Sequence, residues 1–280
     1  MSRFLPDPFP AQPIALLAGQ GRYPELLLER IRQAGHEPWL LGYEGETNPE
    51  LLQQVPDHQK AVIKVGQLGK MLKILSRWPT RHAMMAGQIT PRRLFRGLHP
   101  DFKAVAILAR LKERNAETIF GAIAREMEAI DRHLLDARAF MDEDLADEGL
   151  MNKGRYLPPE SVLQHGIHIA KEIARLDIGQ GVVVRKGTVL AVEAFEGTDK
   201  MLERAGTFPQ GDSLFVKTQK PQQDTRFDVP VFGLKTLEVM AASGLQAAAL
   251  EAGKCLILDK KTVLREAARK KITLLGYGEN

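Results

Sequence analysis

Through the first third of the chain, short apolar runs alternate with longer stretches whose apolar positions recur at helical spacing. IALLAG (Ile14 to Gly19) is one such run, and its length and glycine stop predict a buried strand. The stretch after it sets Leu26, Leu27, Ile31 and Ala34 on one side of a helix that ends at Gly35. PWLLGY, AVIKVG and MMAG predict further strands, with a helix over MLKILSRW, and a long helical stretch is expected from about Phe102 to Phe140. Strands alternating with helices in this way predict a parallel α/β sheet.

The periodicity fails between Asp142 and Pro159, where DEDLADEG gives way to MNKGRYLPP. A domain boundary is expected there: an N-terminal domain over 1–143, a linker over 144–159 and a C-terminal domain over 160–280. Residues 1–13, with four prolines, read as an extended tail. Beyond the boundary come a helix over VLQHGIHIAKEIARL and a hairpin in which VVV and VLAV flank RKGT. LFVK, VPVFG, CLILD and ITLLG predict short strands among helices rich in alanine and leucine, making this a mixed α/β domain.

Composition narrows the class. With 280 residues, 44% of them hydrophobic and 26% charged, the chain has the balance of a soluble globular protein with ample core. The single cysteine, Cys255, excludes an internal disulfide and cysteine-based zinc motifs, and reads as a buried small hydrophobe. No apolar run is long enough to span a membrane and the N-terminus lacks the apolar core of a signal peptide, so a cytoplasmic protein is expected. The net charge of +4 is spread along the chain and aromatics are only 6%, which argues against a nucleic-acid partner. RRLFR (Arg92 to Arg96) reads as a solvated turn or as a patch for anionic lipid or phosphate.

Three stretches carry candidate chemistry. LLAGQGRYPELL places Gly19, Gln20 and Gly21 where a strand meets a helix, and MAGQITP repeats the pattern with Gly87, Gln88 and Thr90. Each is a tight turn or a phosphate cradle, and Pro24 stands where a dinucleotide fingerprint wants a third small residue. In EAFEGTDKML, Thr198 is placed to cap a helix and Asp199 to complement its dipole. Glu193 and Glu196 flank the turn instead, and with Asp199 they could hold Mg²⁺, which prefers oxygen ligands. KPQQDTRFDVP, read as extended between Pro221 and Pro230, puts Asp224, Arg226 and Asp228 on one face, with Phe227 and Val229 anchored in the core. This is a surface charge ladder or the edge of a site. A strand of that length spans roughly 13 Å, too far for both aspartates to share a metal unless the chain bends.

LDIGQG (Leu176 to Gly181), AVEAFEGTDKML and KPQQDTRFDVPVFG together resemble the C-terminal domain of the LpxI family, and LLAGQGRYPELL, VGQLGKMLKIL and MAGQITPRRL match its N-terminal pattern in order. The resemblance runs from about Ile14 to Gly276, with the proline-rich extension before it as a departure. It implies a Rossmann-like N-terminal domain and a separate α/β catalytic domain. It also implies Mg²⁺-dependent hydrolysis of UDP-2,3-diacylglucosamine to UMP and 2,3-diacylglucosamine 1-phosphate in lipid A biosynthesis. The aspartate of the family's T-R-x-D-x-P motif corresponds to Asp228, ranked above Asp224. On this reading Asp228 holds the metal or orients water, Arg226 and Lys220 neutralise phosphate, and Glu193, Glu196 and Asp199 complete the metal site. Gly19, Gln20, Gly21, Gly87, Gln88, Gln180, Thr198 and Gln223 would bind substrate. A lipid-linked substrate further implies peripheral contact with the inner membrane surface, and a homodimer is compatible with the sequence. The rival readings are a dinucleotide-binding oxidoreductase and a non-catalytic nucleotide or lipid carrier.

Overall fold

The computed structural model describes residues 2–89, 100–113, 116–208 and 211–278. The chain divides into two compact units, Met1–Met141 with Asp224–Asp228, and Asp142–Gln223 with Val229–Asn280. RRLFR and Thr90 lie outside the described residues.

The first unit contains β1 (Pro13–Ala18), α1 (Arg22–Gln33), β2 (Glu37–Tyr43), α2 (Pro49–Gln53), β3 (Lys60–Ile63), α3 (Leu68–Arg77), β4 (His82–Ala86), α4 (Phe102–Arg110), α5 (Ala116–Glu128) and β5 (His133–Leu134). Its strands form one parallel sheet in the order β3-β2-β1-β4-β5, the doubly wound arrangement that the alternating pattern implied. Central β1 is buried on both faces from Ile14 to Ala18, which is why its sequence is a continuous apolar run and does not alternate.

Two expectations for this unit change. The helix foreseen over 102–140 is two helices followed by β5, because Asp131 turns into the left-handed region (φ 54°) and redirects the chain after α5. The proline-rich tail is docked by one of its two phenylalanines: Phe9 is buried, its ring 5.3 Å from that of His36, 5.0 Å from His82 and 6.5 Å from Phe140. The tail is not extended throughout: it turns at Arg3 and Phe4, where Leu5 N–H donates to Ser2 O at 3.3 Å, and burial of the Phe9 ring fixes where it docks.

The second unit contains β6 (Gly149–Asn152), α6 (Glu160–Arg175), β7 (Gly181–Arg185), β8 (Thr188–Val192), α7 (Thr198–Ala205), β9 (Ser213–Lys217), β10 (Val231–Phe232), α8 (Leu234–Ala242), β11 (Ala247–Glu251), β12 (Leu256–Ile257), α9 (Lys260–Arg269) and β13 (Thr273–Tyr277). The main sheet runs β6-β13-β11-β9-β7-β8, parallel through β13, β11 and β9 and antiparallel elsewhere, and β10 and β12 make a separate parallel pair. Part of the stretch expected as a linker, 144–159, is edge strand β6, antiparallel to β13. AAALE, which was not among the expected strands, is the fully buried strand β11. Its small side chains suit the middle of a sheet covered on both faces, where tertiary packing overrides helix propensity.

This topology brings the ends of several strands to one edge. The carboxyl ends of β8, β9, β11 and β13 carry Glu193, Lys217, Glu251 and Tyr277, and the amino end of β7 carries Gly181. Cys255 is buried in the core of this unit, and burial pushes its thiol up to about 12. No helix among the described residues is long and apolar enough to cross a membrane.

Candidate functional site

The Asp224–Asp228 segment belongs to the first unit, and it bends. The carbonyl of Asp224 accepts from the N–H groups of Phe227 (3.2 Å) and Asp228 (3.0 Å), so the extended reading gives way to a tight turn. Asp224 Oδ1 accepts from the backbone N–H of Arg226 at 3.1 Å, and its carboxylate takes the guanidinium of Arg226 through Nε (2.9 Å) and Nη2 (2.7 Å). Arg226 beside it holds the Asp224 carboxyl below the usual range. Arg226 also reaches Glu128 at 2.8 Å, so it is a clamp between two carboxylates and no open phosphate ligand.

Two more contacts fix the turn. Thr225 donates its hydroxyl to Asp136 at 2.7 Å and accepts at its carbonyl from Ala137 N–H, also at 2.7 Å. Burial works against ionisation of Asp136, but hydrogen bonds from Arg138 and Thr225 more than offset it and leave the pKa lowered. Phe227 is only half-buried, and it stacks on Phe120 with ring centroids 5.6 Å apart. Phe120 in turn lines an apolar cavity with Tyr43, Ile63, Leu68, Met71 and Ile107. Asp228 is what the clamp leaves open: its side chain is exposed, and its carboxylate meets no donor among the described residues.

The two AGQ turns come together in the same unit. Gln20 and Gln88 form an antiparallel bridge, with Gln20 N–H donating to Gln88 O at 2.7 Å and Gln88 N–H to Gln20 O at 3.1 Å, while Gly19 N–H bonds Ala86 O at 2.8 Å. The closeness explains the glycines: a Cβ on Gly19 would lie 2.5 Å from Gln88 O, and one on Gly87, already at φ 86°, would collide with Gln20 O. Donors that a phosphate cradle or a dinucleotide site would need at Gly19, Gln20 and Gln88 are therefore engaged with one another or with Ala86. Gly21 caps α1 with no side-chain cap.

In the second unit the acids of EAFEGTDKML do not converge. Glu196 is ion-paired with Arg204, which holds its carboxyl below the usual range. Asp199 is paired with Lys235 at 2.7 Å, and Glu193 is buried and accepts from Thr198 Oγ1 at 2.7 Å. Thr198 is also reached at 2.9 Å by Lys217, a buried lysine that the sequence reading did not select. Among the described residues, no group of three or more His, Cys, Asp or Glu is arranged to hold a metal ion. Glu193, Glu196 and Asp199 do not come together as the carboxylate set expected for Mg²⁺, because each of these three has found a cation or hydroxyl nearby.

Lys220 is paired with Asp177, so it too is engaged. Gln223 Oε1 accepts from Lys220 N–H at 3.1 Å and its amide lies 3.5 Å from Gln180, whose carbonyl accepts from Thr218 N–H at 3.0 Å. Next to them Glu251 is fully buried, bonded by Thr218 Oγ1 (2.6 Å), Gln219 N–H (2.7 Å), Lys171 and Lys254. Burial would raise its pKa, but those hydrogen bonds hold it down at about 2. Asp136, Glu128, Phe120 and Lys217 were thus missed. Only Lys217 left a signal, as a charge closing the apolar run LFVK.

The LpxI N-terminal domain matches residues 13–143 and the LpxI C-terminal domain matches residues 155–275. The UDP-2,3-diacylglucosamine pyrophosphatase LpxI of Caulobacter vibrioides (strain ATCC 19089 / CIP 103742 / CB 15) is 30% identical over 275 residues, 94% of this chain and 96% of the relative.

Proposed function

The chain belongs to the LpxI family, and on that premise we propose that it hydrolyses the pyrophosphate bond of UDP-2,3-diacylglucosamine, giving UMP and 2,3-diacylglucosamine 1-phosphate for lipid A biosynthesis. One observation carries this reading to the level of residues. An open carboxylate, Asp228, is held on a clamped turn whose neighbouring ring, Phe227, stacks on the wall of an apolar cavity. A polar reacting group attached to hydrocarbon needs that combination.

Hydrolysis adds water across the bond: an oxygen–phosphorus bond forms, the bridging oxygen–phosphorus bond breaks, and the water loses a proton. Asp228 is the group that orients this water and accepts its proton. Arg226 serves as a positioning residue, since its bonds to Asp224 and Glu128 fix the turn that presents Asp228. Phosphoryl transfer is limited by positioning and by charge on the phosphate oxygens, so a rigid presenter is of direct use. A magnesium ion bound with the pyrophosphate would offset its negative charge, and of the expected ligands Asp228 is the one whose carboxylate is both exposed and without a partner among the described residues. Acyl chains in the cavity would bring the protein to the cytoplasmic face of the inner membrane as a peripheral visitor.

The test is release of UMP from UDP-2,3-diacylglucosamine by wild type and Asp228→Ala, with Mg²⁺ and with chelator. Release by wild type, lost in a folded Asp228→Ala, supports the reading. No release by wild type with Mg²⁺ or Mn²⁺ would overturn it and bring the carrier reading forward.

A further inference from the structure

Lys217 and Glu193 stand out in the second unit because each is more than nine-tenths buried, at 5% and 7% exposure, and neither is fully satisfied among the described residues. Glu193 Oε1 accepts from Thr198, while its Oε2 is buried without a partner among the described residues. That oxygen is why residue 181 of IGQG is glycine: a Cβ there would lie 2.6 Å from it, with Phe215 and Met201 close behind. Lys217 Nζ has Thr198 Oγ1 as its partner among the described residues, which leaves two of its N–H donors unfilled. Half-filled buried polar groups are costly and rare, and they mark places that something else completes.

What would complete the Lys217 ammonium is set by the helix start at Thr198. Helix α7 has Gly197 as its N-cap, at φ 80° and with no side-chain cap. Met201 N–H makes the first intrahelical bond, to Gly197 O, and no acceptor among the described residues meets the N–H groups of Thr198, Asp199 or Lys200. The nearby carboxylates do not fill this place: Asp199 is drawn to Lys235, Glu196 to Arg204, and Glu193 is fixed by the Thr198 hydroxyl. Thr198 spends its one O–H on Glu193 and accepts from Lys217, so its hydroxyl positions the lysine and has no hydrogen left to give an anionic ligand.

We propose that Lys217 and the backbone N–H groups at the start of α7 form a phosphate-binding site, with Glu193 and Thr198 as positioning residues that hold the ammonium at the helix start. A buried ammonium beside a helix N-terminus selects an anionic oxygen, and the strand ends around it are where ligands of open α/β sheets bind. Resting on the UDP-sugar reading above, the ligand is a phosphate of the substrate or of the UMP product.

Titration calorimetry of the full chain with UMP and with inorganic pyrophosphate tests this. Wild type is expected to bind both. Lys217→Met is expected to weaken both by at least about tenfold, the loss of one charge-assisted contact. Thr198→Val is expected to weaken them several-fold, and Thr198→Ser to restore them, a rescue that a purely structural threonine would not produce in binding. Failure of wild type to bind either probe would overturn the site, as would wild-type affinity in Lys217→Met with an unchanged circular dichroism spectrum. Should Lys217→Met not fold, wild-type affinity in Thr198→Val overturns it. The hydrolase reading fails separately: phosphate binding without turnover by wild type keeps this site and removes that reading. Undiminished turnover and binding in Lys217→Met does the reverse.

Discussion

Asp224–Asp228 and Glu193–Asp199 are both acidic turns beside a strand end, and the sequence recommends them equally as places for a site. In the first, Asp224 and Arg226 neutralise each other, Glu128 and Asp136 anchor the turn from outside, and Asp228 is left exposed and open. In the second, Arg204 and Lys235 take Glu196 and Asp199, and Thr198 takes Glu193, so no outward-facing acid remains unengaged. Two carboxylates yield a presented group in the first turn, and three yield none in the second. What decides is whether cations lie within reach of every acid or of all but one.

Asp228→Ala is the largest break in this comparison. If the turn exists to present that carboxylate, turnover should fall about a thousandfold or more, with KM for the lipid substrate little changed and melting temperature within about a degree of wild type. An exposed carboxylate without partners contributes little to folding, so loss of stability alongside loss of activity would show it to be a structural residue.

Glu251 is the extreme opposite of Asp228, a carboxylate wholly engaged within the core. Its folded pKa of about 2 lies below its ordinary 4.5, so it stabilises the fold above about pH 4.5, and that stability is lost as pH falls towards 2. The difference is worth on the order of 3 kcal/mol. Glu251→Gln, which removes the charged carboxylate from its ion pairs with Lys171 and Lys254, should destabilise by a similar amount at pH 7 in urea unfolding and flatten the acid limb of the stability curve. An acid limb as steep as that of wild type would remove Glu251 from this role.

Much of the fold was legible because parallel strands buried on both faces read as unbroken apolar runs, as IALLAG and ITLLG do. AAALE was not, since alanine favours helices and only its neighbours in the sheet explain a strand. The docking of Phe9 was equally invisible, because its partners, His36, His82 and Phe140, come from three distant segments. At the site, the T-R-x-D-x-P pattern drew attention to Asp228, but the residues holding its turn are Asp136 and Glu128, separated from their partners by 89 and 98 positions. No local spacing encodes a contact of that range, and the bend that replaced the extended reading follows from it.

Thr225→Val sharpens the comparison at intermediate size. It removes the hydroxyl that ties the turn to Asp136 but keeps the backbone bond to Ala137, so it should cost about 1 kcal/mol of stability. Turnover should fall about tenfold through looser presentation of Asp228. Thr225→Ser, which restores the hydroxyl, should recover most of both. A wild-type kcat in Thr225→Val would mean that the stacking of Phe227 and the Arg226 clamp suffice.

The smallest effect is expected at Glu196. Its ion pair with Arg204 is solvent-exposed on both sides, and such pairs contribute less than about 1 kcal/mol. Glu196→Gln should therefore leave stability nearly unchanged and, more usefully, leave the Mg²⁺ concentration for half-maximal turnover where it is in wild type. A metal ligand would behave differently, since removing one of a few oxygen donors raises the required metal concentration by an order of magnitude or more. A rise of that size in Glu196→Gln would show that substrate draws Glu196 away from Arg204, and the contrast between the two turns would then hold only for the protein without its ligand.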